Sequence, residues 1–391
     1  MIESKEQVGD KNDSYTLLSL TTNGVIIRDV SEGKGKFPKD FKTYKVVKPG
    51  NLIFCLFDVD ETPRTIGHAH HQRMITGAYN VFSVKDVNVD FLCYYFISLD
   101  DRKALKPLYK GLRKVIPLPT LMSMQIYLPP LAEQEAIVAY LEEKVTQMDN
   151  LVAKQEAQIA YLQELKQAII ARAVTQGLDP QAPLRPSGIS WIGNIPEHWE
   201  VKRAKNMFVR KTREVREFDE IITCFRDGTV TLRTNRRTEG FTESFKETGY
   251  QGIRKGDLVI HQMDAFAGAI GVSDSDGKGT PVYICLQPLG DCFNEYYSYL
   301  LREMARAGYI KSLYRGIRER SSDFRYETFA RLSLPLPPLS EQEAIVTYVN
   351  RKTEEIDHLI AMTEQEIARV RELKQALIAD VVTGRISVQP S

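Results

Sequence analysis

Pro129-Pro130-Leu131-Ala132-Glu133-Gln134-Glu135-Ala136-Ile137-Val138 returns 208 residues later as Pro337-Pro338-Leu339-Ser340-Glu341-Gln342-Glu343-Ala344-Ile345-Val346. Over residues 129–175 and 337–383 the two copies share 26 of 47 positions without a gap, against roughly three expected by chance. Both close on Glu-Leu-Lys-Gln-Ala, at Glu164 to Ala168 and Glu372 to Ala376. This repeat organises the chain.

Each copy reads as one long helix. Ala132 or Ser340 is placed to cap after the prolines, acidic residues fill the first turn, and no Pro or Gly follows for about 44 residues, a rod of about 65 Å. Leu141, Val145, Met148, Val152, Ile159, Leu162 and Ile169 step by three and four, and Val349, Ile356, Ile360, Ile367, Val370 and Leu377 do the same in the second copy. Such a seam predicts a coiled coil. Gln155 and Lys166, with Thr363 and Lys374, interrupt it with polar groups that would fix register. The simpler alternative is two ordinary core helices.

The remaining sequence leaves room for two or three domains with their own cores. No apolar run approaches the roughly 20 residues of a membrane span, and the start Met1-Ile2-Glu3-Ser4-Lys5 is no signal peptide, so an intracellular, cytoplasmic protein is expected. Five cysteines (Cys55, Cys93, Cys224, Cys285, Cys292) are odd in number and lack C-x-x-C spacing, which supports neither a disulfide framework nor a zinc knuckle. They are expected to be reduced and buried. The formal net charge of +1 averages over segments of opposite sign: +4 for residues 1–131, −3 for 132–178, +3 for 179–336 and −3 for 337–391. Basic modules and acidic helices suit a phosphate-binding role for the modules, although offsets of this size occur in many proteins.

The stretches before the two helices repeat each other in type. Asn23-Gly24 and Asp227-Gly228 read as tight turns entering strands; Lys48-Pro49-Gly50 and Arg254-Lys255-Gly256 read as turns before buried strands, Asn51 to Phe54 and Asp257 to Ile260. Amphipathic helical stretches follow at about 90–108 and 293–313. Both modules then carry a basic element, Tyr109-Lys110-Gly111-Leu112-Arg113-Lys114 and Tyr314-Arg315-Gly316-Ile317-Arg318-Glu319-Arg320. Residues 177–188, rich in Pro and Gly, read as a loop or linker. It leads into Trp191-Ile192-Gly193-Asn194-Ile195-Pro196-Glu197-His198-Trp199, which is expected to pack against a neighbour.

Two variable modules, each followed by a helix opening Pro-Pro-Leu-x-Glu-Gln-Glu-x-Ile-Val and carrying Glu-Leu-Lys-Gln-Ala, together with Ser187-Gly188-Ile189-x-Trp191-Ile192-Gly193-x-Ile195-Pro196-x-His198-Trp199, resemble the specificity subunit of Type I restriction-modification enzymes. The resemblance implies an α+β chain: two mixed α/β target recognition domains separated by two long conserved helices forming an antiparallel coiled coil. On that reading residues 1–131 are the first recognition domain, 132–178 the first spacer helix, 179–336 the second domain with its leading linker, and 337–391 the second helix with the tail. It implies no catalysis by the chain itself, which carries neither an Asn-Pro-Pro-Tyr-like methyltransferase motif nor a G-x-x-x-x-G-K-[ST] phosphate loop. Double-stranded DNA, two adenine methyltransferase (modification) subunits and motor-nuclease (restriction) subunits are the implied partners, with S-adenosylmethionine, ATP and magnesium expected on those partners. A rod of fixed length would act as a ruler between two half-sites on duplex DNA. One departure stands out: the first module has only 22 residues before Asn23 and no Trp-Ile-Gly-x-Ile-Pro element. It is expected to be shortened, either by an internal start or as a natural variant whose missing edge another segment or chain supplies.

For phosphates the candidates are Lys110, Arg113, Lys114, Arg315, Arg318 and Arg320, where a glycine lets the backbone approach and flanking cations neutralise charge. The competing reading is a solvated loop before a helix. For base edges they are Arg233, Asn235, Arg236, Arg237 and Gln262 in the second module, and Lys34, Lys36, Arg64, His68, His70, His71, Gln72 and Arg73 in the first. The His68-Ala69-His70-His71 cluster could alternatively hold a metal, but it lacks a helical i, i+4 pair and a fixed carboxylate or thiol, and no metal is assigned. Glu133, Gln134, Glu135, Glu341, Gln342 and Glu343 either balance the helix dipoles or form a docking surface used twice, and the two roles are compatible. Two rivals to the DNA-reading role are a coiled-coil assembly scaffold with protein-binding modules and a self-contained nuclease, the latter without a convincing carboxylate constellation around Asp58, Asp60 and Glu61.

Overall fold

Each repeat copy folds as one uninterrupted helix, Leu131–Gln176 and Leu339–Val382. The computed structural model describes residues 1–10, 15–22, 24–28, 41–110, 114–236, 248–313 and 324–388. Two compact units result, one made of Met1–Ala157 with Thr363–Ser391 and the other of Gln158–Met362. The division falls inside both long helices, so each unit combines the first part of one helix with the last part of the other.

Unit 1 contains β1 (Ile2–Ser4), β2 (Leu18–Thr21), β3 (Gly24–Ile27), β4 (Lys45–Val47), β5 (Asn51–Phe54), β6 (Ile66–Ala69), β7 (Arg73–Ile75) and β8 (Asn80–Ser83), then α1 (Val89–Asp101), α2 (Leu118–Met122) and the start of α3 (Leu131–Gln176). Its main sheet runs β1-β8-β5-β6, all antiparallel, with β2-β3 and β4-β7 as separate pairs. Unit 2 holds β9 (Leu184–Pro186), β10 (Asn194–Pro196), β11 (Glu200–Arg203), β12 (Phe208–Lys211), β13 (Ile222–Cys224), β14 (Val230–Leu232), β15 (Gln251–Ile253), β16 (Leu258–His261), β17 (Ile270–Val272), β18 (Gly277–Gly279) and β19 (Tyr283–Pro288). Then come α4 (Asn294–Arg306), α5 (Tyr309–Ser312), α6 (Tyr326–Ala330), β20 (Ser333–Leu336) and the start of α7 (Leu339–Val382). The main sheet, β12-β19-β16-β17, repeats the order of unit 1 strand for strand, and the β13-β14 and β15-β18 pairs match β2-β3 and β4-β7.

Unit 2 has further elements. The stretch read as a linker contributes β9, which pairs with β10, and β11 pairs with β20. Trp199 is 1% exposed and meets Tyr296 edge-on at 6.5 Å, so the aromatic stretch does pack inward. All five cysteines are buried and unpaired, as expected; burial pushes the Cys93 and Cys285 thiols up to about 12, so these two stay protonated and unreactive near neutral pH.

The helices start one residue after the proline pairs. Pro130 accepts from the N–H groups of Glu133 (2.9 Å) and Gln134 (3.0 Å), and Pro338 does the same for Glu341 and Gln342. Proline suits that position because its missing N–H has no helical partner there. Ala132 and Ser340 consequently lie within the first turn and do not cap, contrary to the sequence expectation. The glutamines take over the anchoring. Gln134 (3% exposed) accepts from the Asn88 N–H (2.9 Å) and donates to the Pro129 carbonyl (2.8 Å); Gln342 (0%) accepts from the Phe293 N–H (2.8 Å) and donates to the Pro337 and Asp291 carbonyls (2.8 and 2.9 Å). Each amide thereby ties the first turn of a long helix to the first turn of its own module's helix, α1 or α4. Around these ties Phe91, Ile137, Val138 and Leu141 pack with Ile378, Val381 and Val382 in unit 1, and Tyr296, Ile345, Val346 and Val349 pack with Ala173 and Val174 in unit 2.

Within each unit the helix segments run antiparallel. In unit 1 Asp149 pairs with Lys374 (2.6 Å) and Gln155 donates to Glu366 (2.9 Å), so rising numbers on α3 meet falling numbers on α7. In unit 2 Lys166 pairs with Asp357 (2.6 Å) beside the buried Leu162 and Ile356. Asp149 and Asp357 occupy one position of the repeat, and Lys166 and Lys374 another. The same pair is therefore made twice with the roles of the copies exchanged. These pairs are partly exposed and contribute only about 0–1 kcal/mol each, so the apolar seam stabilises the association while the ion pairs select its register.

Two glycines decide how the small hairpins lie on the main sheets. A Cβ on Gly67 would sit 2.5 Å from Val25 Cγ2 and 2.7 Å from Leu20 Cδ1, and one on Gly271 would run into the Gly228 carbonyl oxygen. Gly271→Ala should lower stability by roughly 1–3 kcal/mol, seen as a lower melting temperature. Gln342→Ala strands a buried N–H and two carbonyls and should cost about 1–3 kcal/mol; hydrogen exchange should show the Phe293 amide losing protection.

Candidate nucleic-acid interface

The described residues that follow the two basic elements in sequence bond to equivalent strand ends. In unit 1 the Ile116 N–H donates to the Leu56 carbonyl (2.7 Å), just beyond β5; in unit 2 the Phe324 N–H donates to the Gln262 carbonyl (3.0 Å), just beyond β16. Ile116 and Phe324 stand 208 residues apart, the offset of the helix repeat. Arg113, Arg315, Arg318 and Arg320 lie outside the described residues, as do Lys34, Lys36 and Arg237.

Lys110 and Lys114 frame the unit 1 loop. Lys110 is exposed and its N–H donates to the Val115 carbonyl (3.2 Å), closing the loop, while Lys114 adopts φ +45° and its ammonium meets Glu61 and, at 3.6 Å, Asp60. Tyr109 donates its hydroxyl to Asp60 (2.7 Å), which holds that carboxyl below its usual range. Asp60 and Glu61 thus hold the Lys114 ammonium at the end of this stretch.

The unit 2 hairpin β13-β14 presents the other described cations. Its turn, with Gly228 at φ +89°, lies against Gly271 and over Arg302. Arg236 pairs with Asp227 (2.7 Å) and lies 4.5 Å from the centre of the Phe225 ring, and Asn235 donates to the Thr231 hydroxyl (2.8 Å). Arg226, which the sequence reading passed over, is 67% exposed and pairs with Asp264 (2.9 Å). Its place directly before the Asp227-Gly228 turn was the available signal. Arg233 is half-buried in the turn that follows β14, and Gln262, also half-buried, donates to the Pro281 carbonyl at 3.4 Å. The exposed pairs of Arg226 and Arg236 are worth little, about 0–1 kcal/mol, so phosphate or a guanine edge can replace the carboxylates at small cost.

Other candidates are held inside the fold. Arg64 bridges Asp100 (3.3 Å) and Asp101 (2.8 Å) with 14% of its side chain exposed, and Asp100 is itself buried; removing Arg64 would strand a buried carboxylate. It is a structural cation rather than a base reader. His68 faces Asp90 at 2.5 Å with 11% exposure, a contact that holds the Asp90 carboxyl below its usual range. His70, His71 and Gln72 are exposed on the turn between β6 and β7, and Arg73 donates to the Gln72 carbonyl (2.8 Å). Among the proposed docking residues, Gln134 and Gln342 are internal, as described, and Glu341 accepts from His198 (2.8 Å) and the Trp199 indole (3.1 Å). Glu135 and Glu343 are exposed, and Glu133 is half-buried.

Residues 74–161 match the family model described as the Type I restriction modification DNA specificity domain. The chain is 24% identical over 296 residues to the specificity subunit of the Escherichia coli Type I restriction enzyme EcoBI, covering 69% of this chain and 60% of that protein. A similar match, 24% over 289 residues, covers 68% of this chain and 63% of the MjaVIII specificity subunit of Methanocaldococcus jannaschii. The chain thus spans about three-fifths of the length of these two relatives. The StySPI specificity subunit of Salmonella potsdam is 22% identical, over 93% of this chain and 82% of that protein. Two solved structures share the fold at 16% identity: the HsdS subunit of Thermoanaerobacter tengcongensis (TM-score 0.54, covering 98% of this chain and 95% of that one) and a chain from a study of complex assembly and conformational transition of the type I R-M system (TM-score 0.64, 98% and 96%). The chain is accordingly similar in sequence and in fold to Type I restriction specificity subunits, in line with the resemblance drawn from its repeated helix signature. No helix among the described residues is long and apolar enough to cross a membrane.

At the edge of the unit 2 surface His261 is partly buried, and burial lowers its pKa; its Nδ1 accepts the Asp264 N–H (3.2 Å). With the folded value below the unfolded one of about 6.5, the unfolded chain binds this proton more readily, so stability is lost as pH falls through that value. Melting curves between about pH 7.5 and 5.5 should show a steeper decline for the native chain than for His261→Gln.

Proposed function

We propose that this chain is the non-catalytic DNA-recognition subunit of a Type I restriction-modification complex. Each module reads one half of a bipartite duplex target, and the paired helices join the two. Two modification subunits, adenine methyltransferases using S-adenosylmethionine, dock on it, and restriction subunits using ATP and magnesium complete the assembly in the cytoplasm. The observation that carries this reading is the duplication itself: two modules of one topology, each with a basic stretch in its sequence, each with a residue after this stretch, Ile116 or Phe324, bonded to the equivalent strand end, and each leading into the same helix signature. The match of residues 74–161 to a DNA specificity domain supports it from sequence. The exposed cations of the β13-β14 hairpin and of the loop framed by Lys110 and Lys114 supply the phosphate and base contacts.

Co-expression with the neighbouring methyltransferase subunit, followed by mapping of methylated adenines in the genome, tests the proposal directly. A two-part motif with a constant gap, absent when this chain is deleted, is expected; methylation that does not depend on the chain would defeat the reading. In the assembled complex, Lys110→Ala should weaken binding to all duplexes alike and reduce the slope of log affinity against log salt by about 0.9. Arg236→Ala is expected instead to relax selectivity at one base position of the second half-site, at a cost of about 1–3 kcal/mol against the preferred target.

A further inference from the structure

Arg302 stands on α4 directly beneath the β13-β14 turn. A Cβ on Gly228 would lie 2.6 Å from its Nη1 and 2.7 Å from its Cζ and Nε, so the turn's backbone rests on the flat face of the guanidinium. Glycine alone leaves room for that contact, and φ +89° favours it there as well. Among the described residues the guanidinium makes no hydrogen bond and no ion pair. Its Nε is shut away from solvent without an acceptor, while the side chain as a whole is only half-buried, so its terminal nitrogens reach the surface. The groups beside it are engaged elsewhere. Asp227 takes the Thr229 N–H (3.0 Å) and pairs with Arg236 (2.7 Å); Tyr299, one turn back on α4, gives its hydroxyl proton to Asn350 (2.6 Å). Burial pushes the Arg302 pKa below the usual arginine value, and Tyr299 and Asp227 offset this only in part. Around the same turn Arg226 is matched by Asp264 and Arg236 by Asp227, which leaves Arg302 over. The fold does not need a cation at this place. Helices α1 and α4 are both 13 residues long and start at the same glutamine tie, so Arg302 corresponds to Ile97, a partly buried residue packed on the unit 1 core.

We propose that Arg302, at the foot of the Asp227–Gly228 turn, binds a phosphodiester group of the DNA backbone, and that the ligand brings the oxygen its terminal nitrogens lack. This rests on the DNA-recognition reading above and adds to it a contact from the helical layer, which the sequence gives no reason to search. A phosphate rather than a base edge is the fitting partner. Phosphates are the outermost groups of a duplex, and a guanidinium recessed under a turn cannot extend into a groove. An unpaired guanidinium costs its desolvation whether or not DNA is present, so the chain gives up stability to keep a preformed donor in place for the anion. Ile97 shows what the same position holds where no such donor is kept.

The test uses the chain assembled with its modification subunits and fluorescent duplexes carrying the mapped two-part motif, including a set in which one phosphate at a time is replaced by a neutral methylphosphonate. Arg302→Met keeps the stem and removes the charge. Its melting temperature is expected to equal or exceed that of the native chain, because a desolvated charge without an acceptor is lost. Affinity is expected to fall about tenfold for every duplex, with the slope of log affinity against log salt reduced by about 0.9. At one phosphate of the second half-site the methylphosphonate should weaken the native complex and leave Arg302→Met unaffected, whereas Arg302→Lys, which keeps the charge, should still respond there. Unchanged affinity of Arg302→Met would overturn the assignment. So would losses that add to the methylphosphonate effect at every position, because Arg302 would then only prop the hairpin and never meet the ligand. A native complex that binds no duplex selectively would bring down the DNA-recognition reading as well; selective native binding with either of the other results removes this inference alone.

Discussion

A single buried side-chain amide, used twice, sets the relation between each module and its helix. Gln134 and Gln342 each bond backward to the proline that precedes the helix and sideways to the N–H at the start of the module's own helix. Glutamine suits this because one planar group offers a donor and an acceptor at fixed separation, and both ends are used away from water, where an unmade bond would be costly. The direction in which each long helix leaves its module follows from that tie. The apolar contacts of Ile137, Val138 and Leu141, or of Ile345, Val346 and Val349, then have a fixed surface on which to pack.

The duplication explains why the antiparallel arrangement needs so little specific chemistry. When two copies of one helix pair head to tail, any position that meets a given partner in one half meets it again in the other with roles reversed, as Asp149 with Lys374 and Lys166 with Asp357 show. One favourable charge pair in the repeat therefore counts twice, and parallel pairing would forfeit both. Partial exposure keeps the energetic gain small, so the pairs act on register and orientation more than on stability.

Charge in the modules divides by burial. Arg64, Arg213 and Arg254 pair with Asp100, Asp257 and Asp219, carboxylates each about 1% exposed; those cations cannot leave without stranding a buried anion. Arg226, Arg236 and Lys114 pair with carboxylates that water also reaches, and so remain available to another anion. This distinction sorts structural from presented cations in a way that residue type does not. It also explains how a chain of nearly neutral overall charge can offer basic surfaces.

The repeat, the two long helices, their polar register points and the alternation of module and helix were legible in the sequence, because a 3.5-residue apolar period and a 26-of-47 identity need no knowledge of distant contacts. The turns at Gly24 and Gly228 and the buried strands Asn51–Phe54 and Leu258–His261 were legible for the same local reason. Everything that depended on which groups face each other was not. Gln134 and Gln342 read as surface because they sit in an acidic signature, Arg64 and His68 read as loop cations because their partners Asp100 and Asp90 lie more than 20 residues away, and Leu184–Pro186 read as linker because its strand partner only arrives after a turn. Local pattern fixes what each segment can become; the pairing of buried donors with buried acceptors, which only the folded chain brings within 3 Å or so, decides which polar residues are left over for a partner.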